Sequence, residues 1–130
     1  MLTLDHIQLA MPEGQEEDAR RFYGEVLGLE ELEKPDLLKS KGGVWFRLGA
    51  HQLHLGVETP FSPARKAHPA FRVEDLDGLA KKLEDAEFSL TWDDRIPGVR
   101  RFHTHDVFGN RLEFLYKEQE VSAGRMSVES

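Results

Sequence analysis

Four ionisable side chains stand in strand-like segments whose neighbouring residues are apolar. His6 and His68 each lie in the first such segment of one half of the chain, and His54 and Glu113 each lie in the last. Successive side chains of a strand point to opposite faces, so the apolar neighbours would pack on helices while all four polar groups face the other way. A concave sheet would then bring the four together.

The residue types indicate what such a cluster could hold. Neutral imidazole nitrogen and carboxylate oxygen, without sulfur, favour one divalent first-row ion such as Fe, Mn, Ni, Co or Zn. The chain has no cysteine, which excludes disulfides, thiolate metal sites and a cysteine nucleophile. Three or four protein ligands would leave room for water and substrate, and the ion could polarise two adjacent substrate oxygens or activate oxygen.

The elements that must position these residues follow the same order twice. The first series comprises a strand over 4–10, a helix over 15–27, and extended segments over 29–34, 44–48 and 52–57. A connector over 59–66, with Pro60 and Pro63, leads to the second series. That series comprises a strand over 67–73, a helix capped by Asp75, and extended segments over 89–93, 100–105 and 111–116.

This internal repetition predicts the fold. We expect an α+β domain of two βαβββ units, over about 2–58 and about 66–117, which form a curved, antiparallel-rich sheet with helices on the outside. His6 and His68 occupy equivalent places in the two units, as do His54 and Glu113. Residues 118–130 are polar and aperiodic and are expected to form a flexible tail.

Charge and hydropathy limit the classes of partner that the protein can bind. The 130 residues carry a net charge of −7, which repels nucleic-acid phosphates and anionic membranes. No segment reaches the ~20 apolar residues of a membrane span. The first residues lack the basic start and apolar run of a signal peptide. We therefore expect a cytoplasmic protein with a small-molecule partner.

Several motifs then point to a known family. They are Asp5-His6-Ile7, the segment 22–29 with Phe22-Tyr23 and Leu27-Gly28, Ala67-His68-Pro69, and the late Gly109-Asn110-Arg111-Leu112-Glu113. Over about residues 2–117 the sequence resembles the glyoxalase, bleomycin-resistance and extradiol dioxygenase superfamily, also called vicinal oxygen chelate proteins. The order of the motifs is fairly specific for the fold and weakly informative about the reaction.

The resemblance implies a ligand set and an assembly. His6, His68 and Glu113 would be the three metal ligands, as in thiol transferases that inactivate fosfomycin and in extradiol dioxygenases. His54 would be a fourth ligand, at a position where glyoxalases carry a carboxylate. Relatives of this length commonly dimerise and often build each cup from units of both chains, so the resemblance also predicts a homodimer.

His103 is the predicted catalytic residue. It shares strand parity with Arg101 and His105, and it stands where relatives often place an aromatic side chain that faces the cup. A neutral imidazole there would serve as general base or as hydrogen-bond donor to the substrate. A solvated histidine near a strand end is the alternative interpretation.

Three further residues are predicted to bind substrate. Trp45 and Arg47 share one strand face, so Trp45 could form an apolar wall of the cup and Arg47 could bind an anion; Trp45 would otherwise be ordinary core. Arg72 has the parity of His68 and could pair with Glu113 or with a substrate carboxylate. Five other basic residues of the second half are expected to be solvated, namely Arg65, Lys66, Arg95, Arg100 and Arg101.

Two functions follow from these residues and the resemblance. The first is a glyoxalase-like metal-dependent enzyme that acts on a small oxygen-rich molecule by bidentate chelation and electrophilic activation; lyase, isomerase, dioxygenase and transferase outcomes share such a site. The alternative is a metal-free protein that binds or sequesters a small molecule, as bleomycin-resistance relatives do. The acidic charge and Trp45 are compatible with that alternative.

Overall fold

The computed structural model describes residues 1–118 as two successive series of helices and strands. The first series contains β1 (His6–Met11), α1 (Glu16–Ala19, continued by a π-helix at Arg20–Val26), β2 (Glu31–Leu32), α2 (Asp36–Lys39), β3 (Val44–Leu48) and β4 (His51–Val57). The second contains β5 (Ala70–Arg72), α3 (Leu76–Asp85), β6 (Thr91–Asp93), β7 (Val99–His105) and β8 (Arg111–Lys117). The tail predicted over 118–130 lies, apart from its first residue, outside the described residues.

Each series forms its own four-stranded mixed sheet. The strand orders are β1-β4-β3-β2 and β5-β8-β7-β6, and in each sheet one pair, β1 with β4 or β5 with β8, is parallel. The predicted α+β fold of two βαβββ units is thereby confirmed. Helix α2 was not predicted, because its single turn is too short to show a helical period.

The strand register separates an apolar face from a polar face in both sheets. In the first sheet, His54 lies opposite Gln8 on one side and Trp45 on the other. In the second sheet, Glu113 lies opposite His103 and Ala70. The alternate residues, such as Leu53, Phe102 and Phe114, are buried in one hydrophobic core. The other face of each sheet is left for polar side chains.

The helices cover the apolar faces. Ala19, Phe22 and Tyr23 are buried, and the π-helical turn is closed by the Leu27 N–H, which donates to the Phe22 carbonyl at 3.0 Å. Asp75 caps α3 as predicted, since its Oδ1 accepts from the Gly78 N–H at 3.0 Å. No helix within residues 1–118 has the length and apolar character needed to cross a membrane.

A buried hydrogen-bond network ties the two units together. The Tyr23 hydroxyl donates to Asp106 Oδ2 at 2.5 Å, and the Asn110 side-chain amide donates both to that carboxylate and to the Ala10 carbonyl. Burial, followed by the charge of Asp106, raises the pKa of Tyr23 well above its ordinary value. The helix of the first unit is thus anchored to the β7–β8 turn of the second.

We predict that Tyr23→Phe lowers the free energy of unfolding by about 1–3 kcal/mol near pH 7, because a buried hydrogen bond to a carboxylate is lost. A tyrosine whose pKa is raised by folding stabilises the protein below the ordinary pKa of about 10 and loses that effect as the pH rises further. Urea denaturation at several pH values should therefore show the wild type's advantage shrinking in alkali. Tyr116→Phe, at an exposed tyrosine, is the control. Equal stabilities of Tyr23→Phe and wild type at pH 7 would contradict the prediction.

Candidate metal centre

Three potential ligands converge on the polar face of the second sheet. Glu113 on β8 lies opposite His103 on β7, and His68 enters from the segment that precedes β5. The Glu113 N–H donates to the Pro69 carbonyl at 3.1 Å, which holds that segment against β8. One ligand atom from each of the three side chains lies within 4.8 Å of the other two.

The separations of these atoms suit a shared ion. Glu113 Oε1 lies 3.0 Å from His68 Nε2 and 3.3 Å from His103 Nε2. Ligands about 2.1 Å from one ion are separated by about 3.0–3.4 Å in octahedral or tetrahedral arrangements. Two imidazoles and a carboxylate are also a suitable donor set for a divalent first-row metal, so the residues present fit such an ion.

The hydrogen bond on the far side of His68 fixes its tautomer. His68 Nδ1 lies 2.9 Å from the Lys66 carbonyl oxygen, and a carbonyl can only accept, so Nδ1 carries a proton. If the ring carries no second proton, the lone pair of Nε2 points toward Glu113 Oε1. Two lone pairs at 3.0 Å repel each other unless a second proton or a metal ion lies between them.

Arg101 holds the other oxygen of Glu113. Its guanidinium donates to Glu113 Oε2 at 3.0 Å and to Asp93 Oδ2 at 2.9 Å, and its side chain is 16% exposed. Asp93 also accepts two side-chain hydrogen bonds from Arg95. The expectation that Arg101 is solvated was therefore wrong. Glu113 pairs with Arg101 and not with Arg72. Strand parity alone had placed Arg101 on the polar face, beside His103.

Electrostatics keep this carboxylate charged and His103 neutral. Burial alone would raise the pKa of Glu113, but its contacts with Arg101 and His68 outweigh that effect, and the net pKa is lowered. Burial lowers the pKa of His103, and the positive charge of Arg111 adds to this effect against the opposing charge of Glu113. His103 therefore presents a neutral imidazole beside an ionised carboxylate.

His6 and His54 lie on the polar face of the first sheet and outside the group of three. The rings of His6 and His54 stack at 4.4 Å between centroids, and Trp45 stacks on the other side of His54 at 3.8 Å. His6 Nδ1 lies 2.9 Å from Asp5 Oδ2, and among residues 1–118 Nε2 of His6 has no hydrogen-bond partner. His54 Nε2 instead lies 2.8 Å from Gln52 Oε1, and burial lowers the pKa of His54.

The remaining predicted residues are spread over both sheets. Trp45 lies on the polar face rather than among the core residues. Arg47 is exposed and pairs with Glu30 at 3.0 Å. Arg72 is exposed at the end of β5. The structure thus brings together His68, Glu113 and His103 on one sheet, and His6, His54 and Trp45 on the other.

Comparison with known proteins identifies the family. Residues 3–114 match the Glyoxalase/Bleomycin resistance protein/Dioxygenase superfamily, and the chain belongs to it. A solved structure of a Bacillus anthracis protein, described as of the glyoxalase family, is 45% identical with a TM-score of 0.87. The match covers 91% of this chain and 97% of that one.

More distant structures share the fold alone. A glyoxalase/dioxygenase from Nostoc punctiforme is 22% identical with a TM-score of 0.73, over 90% of this chain and 92% of that one. A genomically encoded fosfomycin resistance protein from Listeria monocytogenes is 14% identical with a TM-score of 0.73, over 92% of this chain and 97% of that one. A search of curated protein sequences found no significant match.

We predict that Arg101→Gln lowers the free energy of unfolding by about 3 kcal/mol, because it leaves two buried carboxylates without their shared cation. Arg100→Gln is the matched control, since Arg100 pairs with the exposed Asp77 at 3.0 Å on the opposite face of the same strand. The control should cost much less, because exposed ion pairs contribute little to stability. Urea denaturation at pH 7 measures both, and equal losses would contradict the role of Arg101.

Proposed function

We propose that this protein is a metal-dependent enzyme that acts on a small oxygen-rich molecule by bidentate chelation and electrophilic activation. The observation that carries the proposal is the pair of His68 Nε2 and Glu113 Oε1, 3.0 Å apart, whose lone pairs would conflict if the ring is neutral and donates from Nδ1. A divalent ion between them would remove that conflict and satisfy both ligands. Membership of the superfamily supports the same conclusion.

We propose that His68 and Glu113 bind the metal ion, with His103 next to them. His6 and His54 would complete the ligand set from the polar face of the first sheet. His6 suits this role because Asp5 occupies its Nδ1, an arrangement common for metal-bound histidines. His54 is the weaker ligand, since Gln52 engages its Nε2. Trp45, Arg47 and Arg72 are proposed as substrate contacts around these side chains.

The chain's own residues have separable roles in the reaction. Arg101 fixes the orientation of Glu113, and the neutral His103 can accept a proton at Nε2 and later return it. Trp45, which stacks on His54, would form an apolar wall that excludes water from one side. A bound divalent ion supplies Lewis acidity toward two adjacent substrate oxygens. Lyase, isomerase, dioxygenase and transferase chemistry are all compatible with these roles.

We further propose a homodimer in which the two polar faces of different chains share one cup. The support is that His6 and His54 lie on a different sheet from His68 and Glu113. The first strand of each unit, β1 or β5, is an edge strand of its sheet. An edge strand presents unpaired backbone groups on which a second sheet can continue.

A metal-free binding protein is the second candidate. One observation favours it: both carboxylate oxygens of Glu113 contact a nitrogen of Arg101, His68 or His103, so the protein's own side chains can satisfy them. If His68 carries a second proton, the lone-pair conflict disappears. The stacked rings of Trp45, His54 and His6 would then form a binding surface for an aromatic compound.

Elemental analysis separates the two functions. We expect about one divalent ion per chain in protein purified without a metal-chelating tag, and loss of most of it in His68→Ala and Glu113→Gln. His51→Gln, at a histidine outside the cluster, should retain the ion. Retention should also decline as the pH falls through the histidine range, because only neutral imidazole coordinates. Absence of metal in wild type after supplementation would favour the binding protein.

A cup shared between two chains predicts both a dimer and a contribution of His6 to metal binding. Sedimentation should give two chains per particle, and His6→Ala should weaken metal binding at least tenfold without dissociating the dimer. Gln8→Ala, at the next position along the same face of β1, is the control. A monomer that binds metal with wild-type affinity, or a His6→Ala dimer with unchanged affinity, would contradict a cup shared between chains.

A further inference from the structure

A cavity of about 550 Å³ opens on the polar face of the second sheet, next to His103. It is rich in cationic and titratable side chains although the protein as a whole is acidic. Its charged and titratable lining residues are Arg65, Arg95, Arg111, His103, His105, Asp93 and Asp94. Neither metal chelation nor the ion pairs of Glu113 explain why Arg65 and Arg111 are present there.

The backbone that carries Arg65 and Arg111 is fixed from both sides. The Ala64 N–H donates to the buried Asn110 side-chain oxygen at 3.0 Å. The Arg111 N–H in turn donates to the Ala64 carbonyl at 2.9 Å. The backbone next to Arg65 is therefore hydrogen-bonded directly to Arg111, the first residue of β8. Both arginines are delivered to the same cavity by hydrogen-bonded backbone rather than by a free loop.

The part of the chain that the structure describes gives these two arginines no ion-pair partner. Arg95 and Arg101 share the carboxylate of Asp93. Within residues 1–118, by contrast, neither Arg65 nor Arg111 has a carboxylate oxygen within 4.0 Å. Two guanidinium groups that line one cavity, with no carboxylate in contact with either, repel each other. An anion between them would remove that repulsion and accept hydrogen bonds from both.

We propose that Arg65 and Arg111 form an oxyanion subsite that holds a phosphate, phosphonate or carboxylate group of the substrate. This inference rests on the proposed function, which places two chelating oxygens at the other end of that substrate. Arg111 is paired with His105, and the next pair on the same face is His103 with Glu113. Two residues along a strand span about 7 Å, so the anionic group lies about that far from the reacting oxygens.

This spacing restricts the substrate class. A molecule whose negative charge lies on its two chelating oxygens cannot bind at the metal and at the two arginines at the same time. The substrate instead carries its vicinal oxygens at one end and a separate oxyanion several bonds away. His103 lines the cavity and also contacts Glu113, so its imidazole stands between the two ends.

The subsite is tested first on the metal-free full chain, with inorganic phosphate and acetate as probes in calorimetric titrations. We expect one of these anions to bind to wild type, and Arg65→Gln and Arg111→Gln each to weaken it at least tenfold. Arg21→Gln, which removes the same charge from an exposed ion pair with Asp18, should bind as wild type does. Preference for phosphate or acetate assigns the oxyanion. Binding of neither, or equal binding by all four proteins, would overturn the subsite.

A second titration tests the spacing on Co²⁺-loaded protein. Succinic monohydroxamate, which carries a carboxylate beyond its chelating oxygens, should bind at least tenfold tighter than butyrohydroxamate, its neutral counterpart. Arg111→Gln should abolish that advantage while leaving butyrohydroxamate binding unchanged. No advantage in wild type would overturn the spacing. Failure of wild type to take up Co²⁺ would count against the proposed function, and the phosphate and acetate titrations would still decide the subsite.

Discussion

Burial of the Glu113 carboxylate imposes the main constraint on the second sheet. Its side chain is only 8% exposed, and an ionised carboxylate is costly to remove from water unless cations or donors compensate it. Arg101 compensates one oxygen, while His68 and His103 face the other. Arg101 in turn needs Asp93, which also binds Arg95. One buried charge therefore fixes the side chains of three strands and of the segment before β5.

The same buried carboxylate limits what can lie between Glu113 and His68. Because the Lys66 carbonyl fixes the proton of His68 on Nδ1, the space between Nε2 and Glu113 Oε1 must hold a proton or a metal ion. Either occupant is consistent with the hydrogen bonds of the protein itself. The two functions proposed for this protein thus differ in what lies between these two atoms.

The sequence predicted much of the fold because the relevant signals are local. Alternation over 44–48 matches β3 residue for residue, and Asp75 was identified as the cap of α3 from its place before the apolar stripe. The strand predicted over 67–73 is shorter, at Ala70–Arg72, since Pro69 has no N–H for the ladder. The π-helical turn at Arg20–Val26 leaves no distinct period in so short a helix.

The candidate site was harder to predict because it depends on register between strands. Parity placed Arg101, His103 and Glu113 on one face, but only the β7–β8 register puts His103 opposite Glu113 and brings Arg101 within reach of it. Asp93 joins from β6, a strand whose pairing the sequence does not reveal. Likewise, the repeat placed His6 and His68 at equivalent positions without indicating that they belong to separate sheets in one chain.

Anomalous diffraction from a crystal of the Co²⁺-loaded protein tests the central claim most directly. We expect a single strong peak bonded to Nε2 of His68 and Oε1 of Glu113, at the point where their lone pairs meet. A peak elsewhere, or none in a crystal grown with excess Co²⁺ at neutral pH, would contradict the metal centre.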